Sequence, residues 1–142
     1  MVSGSKAAVE AAAAETARRG ARAVMLPVSA PFHCALMTPA AEAMEEALAK
    51  TELGEPHIPV VANVTAEAVQ DADAIRRLLV QQVTGMVRWR ESVLYMKGQD
   101  VDTLVEIGAG RVLTGLARRI DRDINAVSIQ APADIEKFIG SL

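Results

Sequence analysis

A histidine and a cysteine stand side by side in a loop that is well placed for chemistry. His33 and Cys34 lie in the segment Ser29-Ala-Pro-Phe-His-Cys-Ala-Leu-Met37, which joins a predicted strand to a predicted helix. Such junctions are where α/β sheets present functional side chains, so His33 is a candidate general base. The alternative, a loop histidine satisfied by a nearby backbone group, stays open at this point.

Gln82 is a second candidate, because it shares a helical stripe with apolar residues. That stripe consists of Ile75, Leu78, Leu79, Gln82 and Met86. A buried carboxamide must find hydrogen-bond partners, and an imidazole that acts as a base needs an acceptor for its other nitrogen. Gln82, or the backbone carbonyl beside it, could supply that acceptor. Alternatively, the stripe simply reaches solvent at Gln82.

Other constellations carry weaker signals. Gly108-Ala109-Gly110, between a predicted strand and a predicted helix, fits either an anion site at a helix N-terminus or a tight turn alone. Metal ligation is disfavoured, because His33 and Cys34 are adjacent and His57 has no recognised spacing to them. A Cys34 nucleophile is disfavoured because its neighbour is badly placed to deprotonate it. No serine of the chain lies in a G-x-S-x-G pattern.

The elements that must position these residues alternate between helix and strand. We predict helices over residues 5–19, 38–50, 71–86, 89–98, 111–120 and 134–142, and strands over 22–29, 57–64, 101–107 and 124–129, with the end of an earlier strand at 1–3. Thr38 is the predicted N-cap of the second helix, with Pro39 at its first position. Asp71 or Asp73 is the predicted N-cap of the third. The alternation after residue 50 predicts a parallel α/β sheet covered on both faces.

Composition bounds the class of protein. The 142 residues are 51% hydrophobic and 23% charged with a net charge of −3, which excludes a disordered chain and allows one domain or pieces of two. An acidic balance argues against nucleic acid as the main partner. We expect no membrane span and no signal peptide. A single cysteine suits a reducing compartment, so we expect a cytoplasmic protein.

Four segments resemble a known family. They are Leu26-Pro-Val-Ser-Ala-Pro-Phe-His-Cys-Ala-Leu-Met37, Pro59-Val-Val-Ala-Asn-Val64, Leu79-Val-Gln-Gln82 leading to Val87-Arg-Trp89, and Glu106-Ile-Gly-Ala-Gly-Arg-Val-Leu-Thr-Gly-Leu116. In this order, and over essentially the whole chain, the sequence closely resembles the C-terminal half of malonyl-CoA:acyl-carrier-protein transacylases. The resemblance implies an α/β fold in which residues 1–27 are the second half of a ferredoxin-like small subdomain. Residues 28–142 would then be the C-terminal part of an α/β-hydrolase-like large subdomain.

The resemblance also implies an activity and its residues. Members of the family transfer malonyl by a ping-pong route through a serine ester. By matching position, His33 would be the general base, and a carbonyl of Gln82, in the main chain, would orient its ring. The serine, the arginine that binds the malonate carboxylate and the oxyanion-hole glutamine of the family lie before the matching segment. We therefore expect the chain alone to be inactive and to need the N-terminal half of the enzyme as partner.

Substrate-binding positions follow from the same resemblance. Phe32 would shape the pocket beside the acyl α-carbon and favour unbranched malonyl. Val112 would line the same pocket, and Asn63 would order a loop next to it. Malonyl-CoA and the phosphopantetheine arm of the carrier protein would be substrates, with no cofactor. Two departures, Ala109 for a usual proline and Gly85-Met86 for an Asn-Pro type pair, are expected to leave the chemistry untouched.

Three arginines match positions where an acidic acyl carrier protein would dock, namely Arg22, Arg118 and Arg119. Ordinary solvated arginines are the alternative. A rival function is a non-catalytic fragment that binds acyl carrier protein. A partial sheet would expose an unpaired edge, so we also expect the isolated chain to associate or to be unstable.

Overall fold

The computed structural model describes residues 2–141. These divide into two compact units, the first of which ends at residue 87 and the second of which begins at residue 88. The first unit contains α1 (Lys6–Arg18), a 3₁₀ turn (Ala35–Met37), α2 (Thr38–Ala49), β1 (Val60–Ala62), β2 (Glu67–Val69) and α3 (Ala72–Thr84). The second contains α4 (Trp89–Gly98), β3 (Thr103–Ile107), α5 (Val112–Ile120), β4 (Asn125–Ile129) and α6 (Pro132–Ile139). The predicted strand end at 1–3 includes Met1, which lies outside the described residues, and Val2 and Ser3 form no strand.

Helix α1 forms where the alanine-rich segment predicts it. The Ser5 hydroxyl caps it by accepting a hydrogen bond from the backbone N–H of Ala8 at 3.4 Å. Gly20 follows the helix with φ +74°, a left-handed conformation that glycine adopts without strain. The predicted helix over residues 5–19 is therefore confirmed to within one residue at each end.

The strand predicted over residues 22–29 is wrong. Its apolar side chains Val24, Met25, Leu26 and Val28 are 55–65% exposed, and the segment contains no strand. Val28 N–H instead donates locally to the carbonyl of Leu26 at 2.9 Å. A strand exists only where a second strand pairs with it, and no segment within residues 2–141 pairs with this one. The composition is that of a strand, but the pairing is missing.

Helices α2 and α3 of the first unit contact each other. Thr38 is not the N-cap of α2: a 3₁₀ turn precedes it directly, Met37 is the cap, and the Thr38 hydroxyl donates back to the carbonyl of Ala35 at 2.7 Å. Asp71 caps α3 as predicted, since its carboxylate accepts from Ala74 N–H at 2.6 Å.

The predicted buried strand over 57–64 is shorter and more exposed than expected. Only Val60–Ala62 forms strand β1, and Ile58 before it is 77% exposed. A tight turn follows at residues 63–66, so β1 pairs antiparallel with β2, with Val60 opposite Val69. Strand β2 was not predicted, because three residues are too few to show an alternating pattern.

The second unit is a β–α–β arrangement. Strands β3 and β4 are parallel, with Thr103 opposite Asn125 and Ile107 opposite Ile129. Helix α5 makes the crossover and contacts both strands, α4 packs on α5, and α6 packs on β4. The buried apolar residues of this unit are Val93, Ala117, Ile124, Ala126 and Ile129. The predicted helices and strands of this region are confirmed in type and order, and their ends differ from the predicted ones by up to three residues.

Helix α6 starts two residues before the predicted Asp134. The Asp134 carboxylate reaches back and accepts hydrogen bonds from the N–H groups of Gln130 and Ala131, at 2.9 and 3.0 Å. An acidic residue therefore stabilises the first turn from within rather than marking its start. Leu142, at the end of the predicted helix, lies outside the described residues.

The α/β class is confirmed, but the parallel sheet is limited to β3 and β4, because β1 pairs antiparallel with its neighbour in sequence. Within residues 2–141, no helix is long and apolar enough to cross a membrane. The boundary predicted near residue 27 stays a prediction.

Candidate active site

His33 lies in a strained loop of the first unit. Its φ is +61°, a left-handed conformation that costs free energy for any residue with a side chain. The loop around it is held by Phe32 N–H, which donates to the carbonyl of Ala30 at 2.9 Å, and by the Cys34 thiol, which donates to the carbonyl of Pro31 at 3.1 Å. The backbone therefore holds the half-buried imidazole in a defined place.

The His33 ring contacts the main-chain oxygen of Gln82 across 49 residues of sequence. Nδ1 lies 3.2 Å from that oxygen. A carbonyl oxygen only accepts hydrogen bonds, so Nδ1 must be the donor and carry the proton of the neutral ring. Nε2 then keeps its lone pair and can accept a proton from a nucleophile. This arrangement orients a base without adding a charged partner.

The carbonyl of Gln82 is free to accept because of where α3 ends. The last four carbonyls of a helix have no partner within it. Gln82 lies in the last turn of α3, which ends at Thr84, and Gly85 N–H closes the helix by donating to the carbonyl of Gln81 at 2.8 Å. The predicted apolar stripe is only half-buried here: Leu79 and Met86 are exposed, whereas Gln82 is not.

The side chain of Gln82 is also engaged. Its Nε2 donates to the carbonyl of Gly85 at 3.0 Å, and its Oε1 is buried. Gly85 is thus hydrogen-bonded to the residue whose main-chain oxygen contacts His33. The expectation that the departure at Gly85 leaves the chemistry untouched stays a prediction. Only the replacement of an Asn-Pro type pair pointed to this position in the sequence.

Two of the predicted substrate residues, Phe32 and Asn63, lie in the first unit. The ring of Phe32 is 45% exposed, and its centroid is 6.5 Å from that of His33. Asn63 is half-buried in the turn between β1 and β2. The structure thus brings Phe32, His33 and Gln82 together.

A groove of about 940 Å³ runs along the first unit. Its lining includes one face of α1 with Val9 and Ala13, the apolar part of residues 22–29, and both Phe32 and His33. His33 therefore lies at an open, largely apolar groove.

The glycine turn of the second unit does not form an anion site. Glu106 at the end of β3 places its own carboxylate at the N-terminus of α5, where it accepts from Leu113 N–H at 3.1 Å and Thr114 N–H at 2.8 Å. The Thr114 hydroxyl donates to the same carboxylate at 2.7 Å. Gly108 and Gly110 have φ of +136° and +98°, so the turn itself requires glycine.

The remaining predicted site residues are exposed. Val112, 70% exposed, is the first residue of α5. Arg118 and Arg119 lie in the last turn of the same helix, and the Arg118 guanidinium donates to the carbonyl of Ala126 at 2.7 Å. Arg22 lies in the first unit and lines the groove. Within residues 2–141, no three histidine, cysteine or acidic side chains lie close enough to hold a metal ion.

Three carboxylates of the second unit have a lowered pKa. Hydrogen bonds from the Thr114 backbone and hydroxyl lower the pKa of Glu106. A hydrogen bond from Lys97 lowers the pKa of Asp121 and, reciprocally, raises the pKa of Lys97 above 10.5. The N–H groups at the start of α6 lower the pKa of Asp134.

These shifts predict the pH range over which the second unit is stable. A carboxylate with a lowered pKa stabilises the fold above its unfolded pKa of about 4, and this is lost as pH falls below that value. A lysine with a raised pKa stabilises the fold until pH rises through it. We expect the urea midpoint, followed by fluorescence of the single Trp89, to be constant near neutrality and to fall below about pH 4 and above about pH 10.5.

Lys97→Met should abolish the alkaline fall, because the pair with Asp121 is its cause. Lys50→Met is the matched control, since the exposed pair of Lys50 with Glu46 lies in the first unit. A midpoint that stays constant down to about pH 2 would contradict the assignment of these carboxylates as stabilising.

Comparison with known proteins identifies relatives of the chain. No protein-family model matches the chain. Malonyl CoA-acyl carrier protein transacylase of Escherichia coli (strain K12) is 46% identical over 134 residues, which are 94% of this chain and 43% of that protein. The crystal structure of acyl-carrier-protein-S-malonyltransferase from Bartonella henselae superposes with a TM-score of 0.89 at 50% identity, covering 95% of this chain and 43% of that one.

A third match is a complex. A structure described as PlMCAT:AntF (holo), a type II PKS acyl-carrier protein with its malonyl-transacylase, matches with a TM-score of 0.90 at 44% identity, covering 98% of this chain and 45% of that one. The chain thus spans less than half the length of its relatives. The α/β fold and these likenesses relate it to acyltransferases. It belongs to the malonyl-CoA:acyl-carrier-protein transacylase family and corresponds to the C-terminal half.

Proposed function

We propose that this chain supplies the general base of a malonyl-CoA:acyl-carrier-protein transacylase of fatty-acid synthesis. The observation that carries the proposal is the 3.2 Å contact between His33 Nδ1 and the main-chain oxygen of Gln82. It leaves Nε2 as the proton acceptor and gives the ring a fixed orientation, as a nucleophile–base pair requires.

In the proposed reaction, His33 moves one proton in each half. Nε2 takes the hydroxyl proton of the serine as its oxygen attacks the malonyl thioester, and returns it to the departing CoA sulfur. A malonyl-serine ester results. In the second half, Nε2 takes the proton of the phosphopantetheine thiol, which attacks the ester, and gives it back to the serine. The serine would come from the N-terminal half that the relatives possess. Transfer between an oxygen and two thiols needs no cofactor.

Three side chains are proposed to bind the acyl group. Phe32 is supported by its place next to the His33 ring, where a bulky side chain disfavours a branched acyl group. Asn63 and Val112 are proposed from the resemblance alone. Discrimination by one methyl group is worth only about 1–3 kcal/mol, so the preference for malonyl would be moderate.

We also propose that Arg22, Arg118 and Arg119 dock an acidic carrier protein. Their exposure supports this, as does the carrier-protein complex among the similar structures. Arg118 already donates to a backbone carbonyl, so Arg119 offers the freer guanidinium.

The N-terminal half of the enzyme would cover the groove along α1. Residues 1–27 of this chain would complete a ferredoxin-like subdomain that begins in that N-terminal half. We propose a cytoplasmic location, which suits the single cysteine.

A chimera tests the proposal directly. In the E. coli relative, the matched segment would be replaced by this chain, and transfer of labelled malonyl from malonyl-CoA to holo carrier protein would be measured. We expect transfer by the chimera and none by the chain alone. Activity of the chain by itself, or a folded chimera without activity, would overturn the proposal. Salt-sensitive binding of carrier protein with no activity would favour the rival, a binding fragment.

A further inference from the structure

The Gln82 carboxamide is an unusual choice for the place it occupies. Its Oε1 is buried and has no hydrogen-bond partner within residues 2–141. A buried oxygen without a partner disfavours folding, and methionine would fill a similar volume without that cost. Packing alone therefore does not explain the carboxamide. Its other end, Nε2, makes one specific contact, to the carbonyl of Gly85 at 3.0 Å.

Gly85 is confined by its surroundings. A Cβ atom added to it would lie 2.8 Å from the carbonyl oxygen of Gln81 and 2.9 Å from a methyl group of Val64. Its φ of −84° suits any residue, so what the position demands is space rather than conformational freedom. The Gln81 carbonyl that a Cβ would strike is the one that accepts the last hydrogen bond of α3, from Gly85 N–H.

Gly85 is thus held at both of its backbone polar groups. Its N–H is bonded to Gln81 and its carbonyl to the side chain of Gln82. The carbonyl of Gln82, which faces His33, belongs to the same turn. Helix ends fray when their last turn is not held, and a frayed turn would not keep this oxygen 3.2 Å from Nδ1.

We propose that the Gln82 carboxamide and Gly85 form a carbonyl clamp, which holds the last turn of α3 so that the main-chain oxygen of Gln82 orients His33. Gln82 is then a positioning residue through its side chain as well as its main chain. Gly85 is part of the device because its carbonyl accepts from Gln82 Nε2, and because a Cβ added to it in this chain would meet the Gln81 carbonyl and Val64. This inference rests on the proposed function of His33 and names what maintains its geometry.

Two variants remove the clamp, and each has a matched control. Gln82→Met removes the donor to Gly85 and keeps length and helix propensity, whereas Gln81→Met makes the same change on the exposed neighbour. Gly85→Ala adds the obstructing Cβ, whereas Gly98→Ala adds one at the end of α4, where no atom lies within 4 Å.

The readout is the protonation site of the His33 ring, measured by ¹⁵N NMR on the intact chain at about pH 8, where an ordinary histidine is neutral. His57, the other histidine, is an internal reference in every sample. We expect Nδ1–H to dominate in the wild type, and the Nδ1–H to Nε2–H ratio to fall roughly threefold to tenfold in Gln82→Met and Gly85→Ala, as loss of one net hydrogen bond implies. Both controls should match the wild type.

The outcomes separate this inference from the proposed function. A wild-type ratio in both clamp variants would overturn the clamp and leave the base role of His33 intact. A wild type without an Nδ1–H preference would overturn the geometry on which both rest. If Gln82→Met does not fold, Gly85→Ala alone decides, because it retains the carboxamide and alters only the turn.

Discussion

His33→Asn should lower malonyl transfer by the chimera roughly 10²–10⁴-fold, measured as kcat/KM for malonyl-CoA. The range is that of a general base whose proton-accepting nitrogen is removed. Asparagine is the preferred replacement because it tolerates the left-handed backbone that His33 adopts, with φ +61°, better than alanine does. The loss of malonyl transfer should therefore come from the missing imidazole and not from a change in the backbone of the loop.

The control for this prediction is the second histidine. His57→Asn changes an exposed residue before β1 and should leave transfer unchanged. The urea midpoint of the His33 variant should stay close to that of the parent chimera. Transfer within tenfold of the parent, in a folded His33→Asn variant, would show that another group acts as the base.

The sequence indicates which residues form the candidate site, but it does not indicate the contacts that position them. Loop position singles out His33, and helical spacing singles out Gln82, but these residues alone leave open whether a side chain or a backbone oxygen meets the ring. That choice depends on where α3 ends, and Gly85 ends it by donating its N–H to the carbonyl of Gln81. Histidine adopts a left-handed backbone more often than most residues with a side chain, but the residue type alone does not predict it at His33. Such features depend on distant contacts rather than on local preference.

The fold shows the same division between local and distant causes. Helix α3 and strand β3 form where capping and apolar patterns predict them, because those signals act within one element. The segment 22–29 has the composition of a strand and forms none, since a strand needs a partner that composition does not reveal. Strand β2 was missed for the converse reason: its pairing with β1 comes from the tight turn between them.

The second large effect is expected at Thr114, in the N-terminal turn of α5. Thr114→Val keeps the shape of a buried side chain and removes the hydroxyl that donates to Glu106 at 2.7 Å. Loss of a hydrogen bond at a buried side chain costs about 1 kcal/mol, and Thr114 is 8% exposed. We expect that loss in the free energy of unfolding, measured by urea titration of Trp89 fluorescence.

The control must lose a hydroxyl without losing the link between β3 and α5. Thr103→Val does so, since the Thr103 hydroxyl donates only to the adjacent Asp102 carboxylate in an exposed contact. Its effect should stay within about 0.5 kcal/mol. The difference between the two variants should also shrink below about pH 4, as Glu106 takes up a proton and the charge that strengthens the Thr114 bond is lost. Equal midpoints for the two variants at neutral pH would mean that Glu106 holds α5 through the backbone N–H groups alone.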